Sequence, residues 1–176
     1  MPRLWYPDEA DVEEVASVLS SELFPGYEST TDFQLLGPEG ERMLSSALGL
    51  VRQRYYRTVY DKAGALLRSL IKNHPYRDGN KRMGMTVTTV FLLMNGHFFL
   101  PTSEETVEYA LRIASSEPDM SWQEIAAWIR GRTLPLRKDP DTALRQVMVT
   151  MPRTEDVQRR LLQRWDDIKR FVEGLP

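Results

Sequence analysis

An all-α bundle packed around one buried helix is the fold this sequence predicts, and three observations predict it. Apolar residues recur at helical spacing through most of the chain, as in Ala63, Leu66, Leu67, Leu70 and Ile71. One stretch, residues 80–94, is apolar almost all round (Met83, Met85, Val87, Val90, Phe91, Leu92, Leu93), the pattern of a helix with no wide face left for water. Helix stops stand where the periodicity ends, at Pro25-Gly26 and Asn95-Gly96.

The elements follow in order. Residues 8–21 read as the first helix, on Val12, Val15, Ala16 and Leu19, with Leu23 continuing the spacing. Residues 26–36, rich in Ser and Thr with scattered aromatics, read as a loop. Residues 38–50 form a second helix with Met43, Leu44, Ala47 and Leu48 on one face and Pro38 suitably in the first turn. In residues 51–59, VRQRYYRTV, the side chains of Tyr55, Tyr56, Thr58 and Val59 favour strand although the segment lies between helices. An irregular β-hairpin or flap is expected there. Residues 60–73 give a strongly apolar third helix. Pro75 then disfavours helical backbone at His74, Gly79 and Asn80 mark a turn, and the buried helix 80–94 follows.

Residues 97–100 fit a short strand or a buried connection. Two more helices, 103–115 and 121–130, open with Ser103 and Ser121, the second with Glu124 three residues on as a capping box. Residues 134–140 hold two prolines and read as a linker, followed by amphipathic helices at 141–149 and 153–172. No internal repeat or low-complexity tract interrupts this order.

Composition narrows the function. The 176 residues are 41% hydrophobic and 27% charged, a balance suited to one soluble globular domain with a small appendage. A net charge of −2 supplies no global field toward nucleic acid or acidic lipid, so neither is expected as a partner. The local clusters Arg52, Arg54, Arg57 and Arg159, Arg160, Arg164 read as solvated helix faces. The absence of cysteine removes disulfides, zinc–thiolate sites and thiol catalysis. With no apolar leader and no apolar run near the ~20 residues that cross a bilayer, a cytoplasmic protein is expected.

The chemistry concentrates in residues 73–82, NHPYRDGNKR. An imidazole (His74), a carboxylate (Asp78), an amide (Asn80) and two cations (Lys81, Arg82) share one helix-to-helix turn. Unpaired N–H groups at the start of the following helix attract anions, and Gly79 permits close backbone approach. Arg82 can fork onto phosphate, Asp78 can hold a magnesium ion that bridges phosphates, and His74 titrates near neutrality and can take a proton from a hydroxyl. This set suits phosphoryl or nucleotidyl transfer. Asp78-Gly79-Asn80 is also an ordinary turn and helix cap. On spacing alone the segment is an anion-binding turn, with catalysis left open.

The stretch His74-Pro75-Tyr76-Arg77-Asp78-Gly79-Asn80-Lys81-Arg82 resembles the signature of the Fic/Doc family, in which His, an aromatic, Asp or Glu, a small residue, Asn, Gly or Lys, and Arg recur in this order. All nine positions fit, with Tyr76 in the place that Phe usually fills. Residues 44–48, 60–64 and 70–73 resemble what precedes the motif in Doc-like members, and residues 91–96 resemble the usual end of the motif helix. The resemblance extends over about residues 5–132. It implies a Fic/Doc-type helical catalytic domain at 1–134, with 135–176 as a C-terminal helical extension to which it assigns no role.

What the resemblance implies about the site is specific. His74 would be the catalytic base, Asp78 would organise Mg2+ and the nucleotide phosphates, Asn80 and the backbone from Gly79 onward would line the anion hole, and Arg82 would contact phosphate. Tyr76 would pack inward and hold the loop. Residues 52–58 fall about where the family has a flap that clamps a target peptide by strand pairing. AMP-transferring members have Gly where Lys81 stands, and many have a second Arg where Met85 stands, whereas Doc-like members have Lys and transfer the terminal phosphate.

The implied activity is therefore phosphorylation of a Ser or Thr on a target protein, with ATP as co-substrate. By analogy the chain is a toxin, its target a translation factor such as elongation factor Tu, and its restraint a separately encoded antitoxin. AMP or other nucleotidyl transfer is the alternative, and a non-catalytic anion- or peptide-binding module a third. Glu173-Gly174 partly matches the family's inhibitory helix, but Lys169 replaces the Ser or Thr four residues before the Glu, so an ordinary helix end is expected. His97 reads as a structural histidine, the methionines around the motif helix as core, and Trp122 and Trp128 as core cover.

Overall fold

The computed structural model describes residues 4–19 and 33–135, together with Arg170. The helices expected at 141–149 and 153–172, the Glu173-Gly174 tail and the Pro25-Gly26 stop lie outside the described residues. The order within them is α1 (Glu9–Val18), α2 (Gly37–Leu50), α3 (Val59–Lys72), α4 (Asn80–Met94), β1 (His97–Phe99), α5 (Ser103–Ser115), α6 (Trp122–Arg130) and β2 (Thr133–Pro135). The fold is all-α with one small antiparallel sheet, in which His97, Phe98 and Phe99 face Pro135, Leu134 and Thr133.

Local chemistry accounts for the helix starts. Reciprocal capping boxes open α1 (Asp8/Asp11), α3 (Thr58/Asp61), α5 (Thr102/Glu105) and α6 (Ser121/Glu124). The expected opener of α5, Ser103, is its first helical residue, because Thr102 adopts the extended backbone that a cap requires.

Two expectations are corrected. Residues 51–58 carry no strand. Thr58 caps α3, Val59 joins that helix, and the buried Lys62 ammonium donates to the carbonyls of Val51 and Gln53, which holds the segment as turns. The arginine cluster 52/54/57 accordingly sits on this turn and not on a helix face. The expected linker also begins inside β2, whose Thr133–Pro135 pair with β1.

The centre is shared by α3 and α4. Helix α3 packs on α2, α4, α5 and α6, and α4 packs on α1, α3, α5 and β1. Leu66, Leu67, Leu70 and Ile71 of α3 meet Met83, Phe91 and Leu92 of α4, all under 2% exposed. At roughly 1.5–3 kcal/mol for each such side chain taken out of water, this layer is the main drive that sets α4 against α3. A Cβ on Gly84 would lie 2.9 Å from Ile71 Cγ1, and one on Gly64 would lie 2.6 Å from the Trp122 carbonyl oxygen. Glycine at these two points lets α3 pass close to both α4 and α6.

The C-terminal end of α3 is tied down as well. Lys72 and Arg68 both pair with Asp119, at 2.6 and 2.9 Å, and Arg68 Nε donates to the Met120 carbonyl at 2.8 Å. These bonds hold the place from which residues 73–79 leave the helix.

Candidate active site

Helix α3 ends at Asn73, whose amide donates to Ser69 Oγ at 2.8 Å. His74 then takes a φ of 51°, a left-handed conformation uncommon outside glycine and asparagine. The reason lies on both sides of it: Asn73 is still helical, and Pro75 excludes a helical residue before it. The imidazole is exposed at the resulting corner.

Beyond the corner, a short segment at residues 33–36 runs beside the turn. Leu36 N donates to Pro75 O at 2.9 Å, Arg77 N to Gln34 O at 2.8 Å, and Phe33 N to Asp78 O at 3.4 Å, with Leu35 and Tyr76 forming an antiparallel bridge. Gly40, in the first turn of α2, abuts the Pro75 carbonyl so closely that a Cβ there would collide with it. In sequence, residues 33–36 read as plain loop. Two extended residues leave no period to read, and only Gly40 in a helix hinted at a close approach.

Inside the turn, Asn80 is buried and uses both ends of its amide on one residue. Its Oδ1 accepts from Tyr76 N at 2.9 Å and its Nδ2 donates to Tyr76 O at 2.7 Å. The side chain therefore braces the turn, and its backbone N–H is what it can offer a ligand. Tyr76 is 4% exposed, and burial with the nearby Glu13 charge pushes its phenol up to about 12, so the ring stays neutral. The exposed Asp78 carboxylate accepts from Gly79 N at 2.6 Å.

Gly79 starts α4 with a φ of 81°, and a Cβ on it would lie 2.6 Å from the Phe33 ring. Unlike the boxed helices, α4 has no side-chain cap and no acidic residue in its first turn; Lys81 and Arg82 stand there instead. Positive side chains at the positive end of a helix dipole repel it unless an anion joins them. The Arg82 guanidinium lies 5.2 Å over the Phe33 ring.

Lys81 and Arg82 also line a cavity of about 570 Å³ between α4 and α5, walled by Met85, Thr86, Thr106 and Val107 among others. His74 and Asp78 do not line it; both are exposed on the turn. The structure thus brings Lys81 and Arg82 to one cavity, sets Gly79 and the α4 N–H groups between that cavity and the turn in sequence, and leaves His74 and Asp78 at the turn. No group of three or more His, Asp or Glu able to hold a metal occurs among the described residues. His97 is held by the Asn95 carbonyl at 2.8 Å and by edge contact with Tyr60, in keeping with a structural role.

A family model described as the Fic/DOC family matches residues 8–92, a span that runs from the cap of α1 through nearly all of α4. Over these residues the chain matches the Fic/DOC family. A curated relative named Toxin Doc, from Mycolicibacterium smegmatis, is 35% identical over 91 residues, which cover 52% of this chain and 65% of that protein. The chain thus spans slightly less than two thirds of the relative's length. No solved structure matches it. The family match ends before α5 and α6, although the resemblance in sequence reached about residue 132. No helix among the described residues is long and apolar enough to cross a membrane.

Proposed function

We propose that this Fic/DOC protein transfers the γ-phosphate of ATP to a Ser or Thr hydroxyl of a target protein. The observation that carries the reading is the start of α4, an uncapped helix end with Lys81 and Arg82 in its first turn, both lining one cavity. Free N–H groups, a favourable dipole and two cations make a place for a polyphosphate. The family match supports a transferase, and Lys81, where AMP-transferring members have Gly, supports transfer of the terminal phosphate.

In this mechanism His74 takes the proton of the target hydroxyl, whose oxygen bonds to the γ-phosphorus as the bond to the ADP oxygen breaks. Gly79, the backbone of Asn80, Lys81 and Arg82 hold the phosphates and the charge that develops on them. Asp78 is the one carboxylate of the motif, so the donor set suits Mg2+ only if phosphate oxygens and water complete its shell, as that ion prefers. Bound there, Mg2+ would neutralise phosphate charge. The name of the relative, Toxin Doc, supports a toxin restrained by an antitoxin; a translation factor as target rests on the resemblance in sequence alone.

The test is a transfer assay on a cytosolic lysate with ATP labelled at either the α- or the γ-phosphate, with His74→Ala as control. Label from the γ-phosphate alone, lost in His74→Ala, is the expected result. Label from the α-phosphate would assign AMP transfer, and no difference between wild type and variant would remove the catalytic reading in favour of a binding module.

A further inference from the structure

The segment that was expected to be a flap carries a different feature. Tyr55 is 69% exposed, the largest exposure among the exposed large hydrophobic residues described, yet it is not loose. Its ring meets Tyr56 at 5.3 Å and Trp122 at 5.8 Å, and Tyr56 meets Trp122 at 5.2 Å, each pair edge to face. The backbone beneath is fixed at three points. Lys62, 5% exposed, donates to the carbonyls of Val51 and Gln53; Arg52 lies 5.4 Å over the Tyr6 ring; Thr58 caps α3.

Two cations flank this cluster. Arg54 and Arg57 are exposed and form no ion pair or hydrogen bond among the described residues. The acids that begin the two adjoining helices, Asp61 and Glu124, are engaged in capping boxes with Thr58 and Ser121. The surface therefore offers a rigid aromatic projection beside unpaired guanidinium groups. Trp, Tyr and Arg are the residue types that dominate binding energy at protein interfaces, and a projection already held in place loses little entropy on docking.

We propose that Tyr55, backed by Tyr56 and Trp122 and flanked by Arg54 and Arg57, anchors a docking surface for an acidic, aromatic-bearing segment of a partner protein. Single-stranded nucleic acid fits less well, because successive bases need parallel faces, and these three rings stand 75–89° to one another. Strand pairing fits less well too, because Lys62 occupies the carbonyls of residues 51 and 53. The 14 residues of α3, at about 1.5 Å each, put this surface roughly 20 Å from His74. Docking here is thus separate from the chemistry proposed at the turn.

The full chain should bind a fluorescein-labelled random copolymer of glutamate and tyrosine more tightly than polyglutamate of the same length, read by anisotropy. Tyr55→Ala and the double variant Arg54→Ala/Arg57→Ala should each weaken that binding by about tenfold or more. The double arginine variant should leave the thermal midpoint unmoved, Tyr55→Ala should lower it only slightly through its lost ring contacts, and transfer to a small peptide substrate should stay at the wild-type rate in both. Equal binding of the two polymers, or no loss in the variants, overturns the proposal. So does equal or tighter binding of an oligothymidylate of matched charge, which would assign the surface to nucleic acid. Self-association abolished by Tyr55→Ala would assign it to a second copy of this chain and overturn the proposal as well.

Discussion

The beginnings of α6 and α4 are built on opposite terms. Ser121 and Glu124 close the start of α6 on itself, each side chain accepting from the other's backbone N–H, with the carboxylate also placed against the helix dipole. The starts of α1, α3 and α5 repeat that arrangement. Helix α2 lacks a side-chain cap, but Pro38 removes one free donor and Glu39 supplies the negative charge. Helix α4 alone among the described helices leaves its first N–H groups without cap, proline or acid, and adds Lys81 and Arg82. A boxed start gains stability locally; the start of α4 forgoes it, and in the proposed function an anion completes it. On that proposal, the difference separates an end built for the fold from one built for a ligand.

The largest test of this contrast is Gly79→Ala. The φ of 81° and the Phe33 ring at 2.6 Å from the new Cβ both oppose it. Left-handed backbone costs a residue with a Cβ about 1–2 kcal/mol, so denaturant melts should show a loss of about 2 kcal/mol with the ring contact added, and transfer should fall below detection. Retained activity would mean that the N–H groups of α4 do not bind phosphate. Next comes Thr58→Ala, which removes the box of α3 and should cost about 1 kcal/mol in the same melts, with the transfer rate unchanged. A boxed end whose loss abolished transfer would erase the distinction.

Lys81→Glu should act in opposite directions on the two properties. An acid in the first turn of a helix is worth about 0.3–1 kcal/mol, so the variant should melt at a higher temperature while nucleotide binding by calorimetry weakens. Destabilisation would show that Lys81 already has a structural partner. The smallest effect is expected at the other end of α3. The Lys72 ammonium, then Arg68, hold the Asp119 carboxyl below its ordinary 3.8. A lowered carboxylate stabilises above its unfolded value and loses that contribution as pH falls through the lowered one. The difference in melting temperature between wild type and Asp119→Asn should therefore be present at pH 6 and close at pH values below the ordinary 3.8. A gap that persists in acid would rule out the ion pair as its cause.

Much of the bundle was legible because a helix writes its period into a single stretch of chain. Leu66, Leu67, Leu70 and Ile71 announce one face of α3, Met83 through Leu92 announce a helix buried on most sides, and Ser121 with Glu124 announces a start. The candidate site was legible for the same reason: its residues are contiguous from His74 to Arg82. Residues 51–58 were misread because strand preference is weak against context. Thr58 found a cap, Val59 a helix, and Tyr55 and Tyr56 the Trp122 ring. Nor does anything near residue 97 announce that its strand partner waits at residue 133.

By itself, then, the sequence determined the helices, their stops and the set of reactive groups on one turn, since these depend on neighbours a few residues apart. Only the tertiary structure decided what surrounds that turn. It set residues 33–36 against 75–78, laid Phe33 over Gly79 and Arg82, gave the Asn80 amide to Tyr76, and opened between α4 and α5 the cavity that receives Lys81 and Arg82. Such contacts join residues far apart in the chain, and their choice rests on how whole faces bury against one another.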